Sequence, residues 1–280
     1  MRTASAKVTR DQSELGFWEL ARRAPDPHLA AHVRSYCGYV ERGGTPLSRR
    51  ELPSDEVVVV LGLGPPIRVD GEPRGSFVAG LNGAPALTEH DGVQEGLQVN
   101  LTPLGAYRLF GPPERGVPGQ VVDLEDLFGA RAGSLVERLF ETCGWEARFA
   151  LVETAIAGRL EESTPASPDV AWAWRRLTET EGRLPISAVT NELGCSRRHL
   201  TTRFREQIGL APKAFARILR FDRAVSRLRS EGGGSLAEIA HDAGYYDQSH
   251  FNRDFRAFAG LTPTELVARE LPAGRGLSGT

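Results

Sequence analysis

The chain has 280 residues, 40% hydrophobic and 25% charged, a composition that suits two domains with cores of their own and excludes a disordered or membrane-spanning class. The net charge of −2 is unevenly spread: residues 172–280 hold 17 Arg+Lys against 12 Asp+Glu, residues 1–171 hold 17 against 24, and such asymmetry suits a protein of which only the later half meets phosphate. Three widely spaced cysteines (Cys37, Cys143, Cys195) argue against a disulfide framework or zinc knuckle, and without an apolar run of about 18 residues or a signal-peptide pattern the expected location is cytoplasmic, at the nucleoid.

Residues 1–24 are polar and read as loosely ordered, with Leu15, Phe17, Trp18 and Leu20 available for packing. Residues 25–40 are ambiguous between a short helix and a strand. From Glu51 to Leu101 the pattern is β-rich. Glu56–Leu61 is a β-branched run, Ile67–Val69 follows a Pro-Pro turn, and Ser76–Ala79 and Leu97–Leu101 are further strands between Gly, Pro, Asn and Asp clusters. Such spacing predicts a small antiparallel β barrel or sandwich. Helical sequence follows over Pro103–Phe110, Leu124–Phe128, Leu135–Thr142 and Trp145–Leu160, so residues 1–165 are expected to be an α+β domain. Leu135, Leu139 and Phe140 with Phe149, Val152 and Ile156 suit either a homodimer face or a cover for the sheet. The stretch Glu161-Glu-Ser-Thr-Pro-Ala-Ser-Pro168 marks the boundary. An all-α domain is expected over 166–272, opened by a helix from Asp169 to Thr180 with Trp172, Leu177 and Trp174 turned inward.

Two similar units lie in that domain, at about 186–208 and 235–258. In the first, Ile186–Leu193 is a short helix, Gly194-Cys195 a turn, and Ser196 a cap for Arg197–Ile208, which buries Leu200, Phe204 and Ile208. Its outer face carries Arg197, Arg198, Thr201, Thr202 and Arg205. The second unit runs from Ser235–Ala243 through Gly244 to a helix capped by Asp247. There Phe251, Phe255 and Phe258 make the buried stripe, and Gln248, Ser249, His250, Asn252, Arg253 and Arg256 face outward. Amide, hydroxyl and guanidinium groups are the side chains that bond base edges and phosphates. Leu200/Phe204 correspond to Phe251/Phe255, and Gly209-Leu-Ala-Pro212 to Gly260-Leu-Thr-Pro263, so the pattern is an internal repeat. Between the units, Pro212 to Arg229 forms one helical pattern of roughly 27 Å at 1.5 Å per residue, ended by Gly232-Gly-Gly234. A rod of that length suits recognition helices about one DNA turn (~34 Å) apart.

Residues 170–269 resemble the DNA-binding domain of AraC/XylS-type transcriptional regulators, in which a long helix joins two helix-turn-helix units. The segment from Gly244 to Pro263 is the most recognisable part, with Tyr245-Tyr246 in place of the commoner Gly-Phe start. The resemblance implies an all-α double helix-turn-helix fold and a regulator bound to double-stranded promoter DNA. Carried over by position, the base-facing residues are Arg198, Thr201 and Thr202, then Gln248, Ser249, His250, Asn252 and Arg253. Phe77-Val-Ala-Gly-Leu81 and Gly96-Leu-Gln-Val-Asn-Leu-Thr-Pro-Leu-Gly105 resemble a sensor-like domain that precedes such units in actinobacterial regulators. A small-molecule effector, a second copy of the chain and RNA polymerase are the remaining candidate partners. For the effector, a barrel mouth formed by Phe77, Leu81 and Leu97 is a candidate entrance.

Enzymatic readings find less support. His28, His32 and His90 lack a carboxylate-histidine cluster, so neither metal nor cofactor is expected. The rival class is an enzyme or DNA-repair domain fused to the DNA-binding module. Methyl transfer onto a cysteine requires an activated thiol, whereas Cys37 in Ser35-Tyr-Cys-Gly-Tyr39 reads as a packed core thiol. No Gly-x-Ser-x-Gly and no phosphate-binding glycine loop occurs.

Overall fold

Buried and more exposed positions that largely alternate along the strand Val93–Leu101, with a break, shape the N-terminal half. The structure is a computed structural model that describes residues 5–13, 16–112, 119–230, 234–269 and 277–279. Twelve strands are described in it: β1 (Lys7–Ser13), β2 (Gly16–Arg23), β3 (Val33–Gly43), β4 (Leu47–Glu51), β5 (Val57–Gly62), β6 (Ile67–Val69), β7 (Glu72–Arg74), β8 (Phe77–Ala79), β9 (Ala86–His90), β10 (Val93–Leu101), β11 (Val121–Asp123) and β12 (Leu277–Ser278). They form two antiparallel sheets, ordered β1-β2-β3-β10-β5-β8-β11 and β12-β4-β9-β6-β7, rather than a closed barrel. The sandwich alternative is the one realised.

Opposite faces of the larger sheet have opposite chemistry. Leu97, Val99 and Leu101 of β10 pair with Leu61, Val59 and Val57 of β5, and all six are buried on the helix-covered side. The intervening residues, among them Ser35, Cys37, Gln98 and Asn100, face the second sheet across an interior space of about 720 Å³. There Gln98 donates to Asn100 (2.7 Å) and Asn100 to Ser35 (3.1 Å). Glu41 accepts from Gln94 (3.0 Å), lies 3.2 Å from the His90 ring and is bonded to Arg49. Burial raises a carboxyl, but here the bonds from His90, Arg49 and Gln94 outweigh it and hold Glu41 at about 2. These polar side chains thus pair with one another inside the sandwich, with the Arg49 Nε left without a partner.

Helices α1 (Pro103–Phe110), α2 (Leu124–Phe128), α3 (Ala130–Glu141) and α4 (Trp145–Glu161) cover the apolar face. Leu139, Phe149, Val152 and Ile156 are buried against the sheet, so they serve as its cover; Phe140 is 69% exposed. Gly38 lets the Trp145 ring lie on β3, since a Cβ there would come within 2.3 Å of the indole. The indole Nε1 donates to Glu19 (2.5 Å) and ties α4 to β2.

Several expectations for this half change. Within residues 1–24, the described segments 5–13 and 16–24 are ordered: β1 and β2 form a hairpin on the edge of the large sheet, and Trp18 is buried. Leu15 lies outside the described residues. The ambiguous segment 25–40 resolves into turns followed by β3, so His28 and His32 do not share a helix. Phe77, Leu81 and Leu97 do not form one mouth. Phe77 lines the space between the sheets, while Leu81 and Leu97 belong to the core under the helices. Helix α3 begins five residues earlier than its apolar pattern suggested.

Helices α5 (Pro168–Glu179), α6 (Ile186–Leu193), α7 (Arg197–Ile208), α8 (Pro212–Arg229), α9 (Leu236–Asp242), α10 (Gln248–Ala259) and α11 (Pro263–Ala268) complete the chain. Of the Gly232–Gly234 run, Gly232 and Gly233 lie outside the described residues. The buried face of α5 is Val170, Ala173 and Leu177; Trp172 and Trp174 sit only partly buried beside it, near the Arg176 and Arg34 guanidinium groups. Helix α8 divides its apolar surface. Phe215 packs on Phe204 (5.8 Å between rings) in the first core, and Phe221 packs on Phe255 and Phe258 (both 5.1 Å) in the second.

Candidate nucleic-acid interface

The two predicted units are both formed, and their punctuation does the same work twice. Gly194, at φ 64°, closes α6 in the left-handed region that disfavours other residues. Ser196 then caps α7 by accepting from the His199 N–H (3.1 Å), and Asp247 caps α10 by accepting from the His250 N–H (2.7 Å). Gly209 and Gly260 close α7 and α10 in the left-handed conformation, and Pro212 and Pro263 start the helices that follow. The second Gly-x-x-Pro likewise opens a helix, the short α11.

Burial sorts the side chains of α7 and α10 by face. Leu200, Phe204 and Ile208 are buried in the first, Phe251, Phe255 and Phe258 in the second. Arg197, Arg198, Thr202 and Arg205 are exposed on α7, with Thr201 partly so. On α10, Gln248, Ser249, Asn252, Arg253 and Arg256 are exposed. His250 is set apart: it is half-buried, stacked edge-on against Tyr245 (5.2 Å) and 3.8 Å from Asp254. His199 and His241 are exposed.

Among the described residues, Arg197, Arg198, Arg205 and Arg253 have no side-chain ion pair, whereas neighbouring Arg203 pairs with Glu206 (3.1 Å). A guanidinium with no protein partner keeps its donors available for phosphate or guanine.

An anchor that the sequence reading passed over holds α10 in place. Asp254 is buried within α10, and Arg217 of α8 donates to both its oxygens, the shortest bond being 2.7 Å. The hydrogen bond from Asp254 raises Arg217 further above its usual range. Asp254 follows Phe251 by three positions, so helical periodicity alone places it on the inner face. Tyr246 was also missed as an individual. Of the Tyr245-Tyr246 pair, Tyr245 is buried under α10 while Tyr246 is 94% exposed beside the helix start.

A protein-family profile described as a helix-turn-helix domain matches residues 189–269. This region is an AraC-type DNA-binding domain. The match takes in α7, α8, α9, α10 and α11, so the exposed faces described above belong to the DNA-binding part of the chain.

Among solved structures, the chain is similar to the C-terminal domain of AraT, a response regulator from Geobacillus stearothermophilus, at 21% identity over 40% of this chain and 93% of that one (TM-score 0.37). An AraC-type DNA-binding domain from Chromobacterium violaceum is 26% identical over 38% of this chain and 96% of that one (TM-score 0.35). ToxT from Vibrio cholerae O395 is 12% identical over 79% of this chain and 95% of that one (TM-score 0.45). No curated protein matches the sequence.

Proposed function

We propose that the chain is a sequence-specific transcriptional regulator that inserts α7 and α10 into successive major grooves of promoter DNA. The observation that carries this reading is the repeated, capped second helix with unpaired arginines on its outward face, in both units, on either side of an 18-residue rod. Arg198 and Arg253 take guanine or phosphate contacts, and Gln248 suits adenine. Arg197, Thr201, Thr202, Arg205, Ser249, His250, Asn252 and Arg256 complete the DNA-facing set. Residues 166–272 do the reading of DNA, and residues 1–165 govern it through an effector or a second copy of the chain.

Footprinting of the full-length protein tests the groove assignment, with protection expected on one face of the duplex over two neighbouring turns. Arg253→Ala is expected to lose about 1–3 kcal/mol of base discrimination at one position. Protection on opposite faces, or an unaltered sequence preference in Arg253→Ala, refutes the assignment.

The fused-enzyme alternative gains nothing from Cys37. Burial pushes its thiol up, opposite to the depressed value that an acceptor thiolate needs.

A further inference from the structure

A second cavity, of about 450 Å³, lies on the helix-covered side of the large sheet, separate from the polar space between the sheets. Its size falls in the range of small-molecule sites. Val99 and Leu101 of the sheet, Phe110 of α1, Phe128 of α2, and Val152 and Ile156 of α4 give it an apolar lining. Its polar lining groups are Arg131, Ser134 and Arg138 of α3, Thr154 and Arg159 of α4, and Glu162 just beyond α4, three cations against one carboxylate.

The three arginines are not equivalent. Arg159 is already engaged, donating to the Leu109 carbonyl (3.2 Å) and pairing with Glu162 (3.6 Å). Arg131 and Arg138 are exposed, and among the described residues neither has a side-chain hydrogen bond or ion pair. They stand seven residues apart on α3 with Leu135 between them at i+4, so one helix face aims both guanidinium groups and an apolar side chain at the cavity. Solvated arginines on a helix are ordinary; a pair that also lines an apolar cavity is a charged gate to it.

We propose that this cavity binds an amphipathic monoanion: an aliphatic or aromatic body lies among the apolar side chains, and its carboxylate is held by Arg131 and Arg138. A polar body would leave hydrogen-bonding groups unsatisfied against Val99, Leu101 and Phe128, and a cationic head would meet like charge. Helix α1 connects the site to the DNA-binding region, since it lines the cavity through Leu109 and Phe110 and also packs against α7. As an effector site the cavity rests on the regulatory role proposed above; as a binding site it does not.

Calorimetric titration of the full-length protein with sodium decanoate tests the site, with decan-1-ol and decyltrimethylammonium as matched neutral and cationic probes. Decanoate is expected to saturate at one per chain and to bind more tightly than decanol, and the cation is expected not to bind. Arg131→Gln with Arg138→Gln, which removes both contacts to the carboxylate, is expected to weaken decanoate by about tenfold or more and to leave decanol unchanged. Ala132→Phe, which fills the cavity from α3, is expected to abolish both. The surface arginine pair decides the matter even if the filled variant misfolds. The proposal is overturned if wild-type protein does not bind decanoate, if decanol binds as tightly, or if the arginine variant binds decanoate as wild type does. DNA affinity is measured separately with and without decanoate: saturable binding that leaves it unchanged supports the site and removes its regulatory role.

Discussion

Three carboxylates meet where the N-terminal sheets approach the rod between the helix-turn-helix units, and their charge gives a measurable prediction. Burial, then the charges of Asp55 and Asp222, pushes Glu56 up to about 7, against the attraction of Arg34. Burial and Asp55 push Asp222 of α8 up to about 6, with Arg229 opposing, and burial raises Asp55 despite its 3.4 Å contact with Arg34. A carboxyl raised in the folded state holds a proton that the unfolded chain releases. Its stabilising share is therefore full below the ordinary value near 4.5 and is lost as pH rises through about 7. At about 1.4 kcal/mol per tenfold change in proton affinity, the Glu56 displacement sets a ceiling of about 3 kcal/mol. Glu56 is only partly buried, so solvent screening reduces the expected effect to about 1 kcal/mol. Glu56→Gln is neutral at every pH and is expected to melt about 2–4 °C higher than wild type at pH 8, with the gap closing by pH 5. Asp222→Asn is expected to narrow the gap slightly, because it removes the weaker of the two negative charges acting on Glu56. Thermal melts from pH 5 to 8 supply the data. Equal or lower melting of Glu56→Gln at pH 8, or a gap that persists at pH 5, refutes the reasoning.

Asp254→Ala strands Arg217, but that cation keeps 36% of its side-chain surface in water, so the loss is expected at about 2 kcal/mol, below the 3–5 kcal/mol for a fully buried pair, and is read by urea denaturation. Glu41→Gln leaves Arg49 without its carboxylate inside the sandwich and is expected to cost about 3 kcal/mol at pH 7. Because Glu41 is held at about 2, that contribution is present above about 4.5 and lost as pH falls toward 2, so wild type and variant are expected to converge in acid melts. Gly38→Ala drives a methyl into the Trp145 ring; overpacking of about 1–3 kcal/mol and a shifted tryptophan emission are expected.

The helix-turn-helix half was legible because its information is local. Caps, closing glycines and i, i+4 stripes are properties of a few consecutive residues, and α6, α7 and α8 begin and end where those signals stand. The exposed site candidates followed from the same periodicity, as the outward complement of Leu200/Phe204 and Phe251/Phe255. What escaped was non-local. The β1–β2 hairpin carries polar residues on an edge, and its partner β3 was ambiguous by itself, so neither strand announced the pairing. Short strands such as β7 and β12 have too few residues for alternation to show. The Arg217–Asp254 anchor spans 37 residues, and a lone aspartate on a helix reads as solvated until its partner is seen. The charged cavity needed four helices and a sheet to be placed before Arg131 and Arg138 meant anything together.

The rod between the two units is one of two braces that orient them. Helix α8 ties both cores together, with Phe215 in the first and Phe221 in the second. The N-terminal half grips each unit separately. The first unit shares a continuous core with the sheet-covering helices, and α1 lies against α7. The second is closed by Leu277, buried among Phe251, Phe255 and Phe258, while its strand β12 pairs with β4 through Leu277 opposite Arg50. Leu52, next to β4, packs on the same cluster. A shift of α1 relative to β4 would therefore turn α7 relative to α10 even with α8 rigid. On the proposed function, in which α7 and α10 enter neighbouring grooves together, half-site spacing on DNA would be sensitive to such a turn. On that same proposal, the N-terminal half would act on DNA binding through how it holds the two units, because packed cores switch between discrete arrangements.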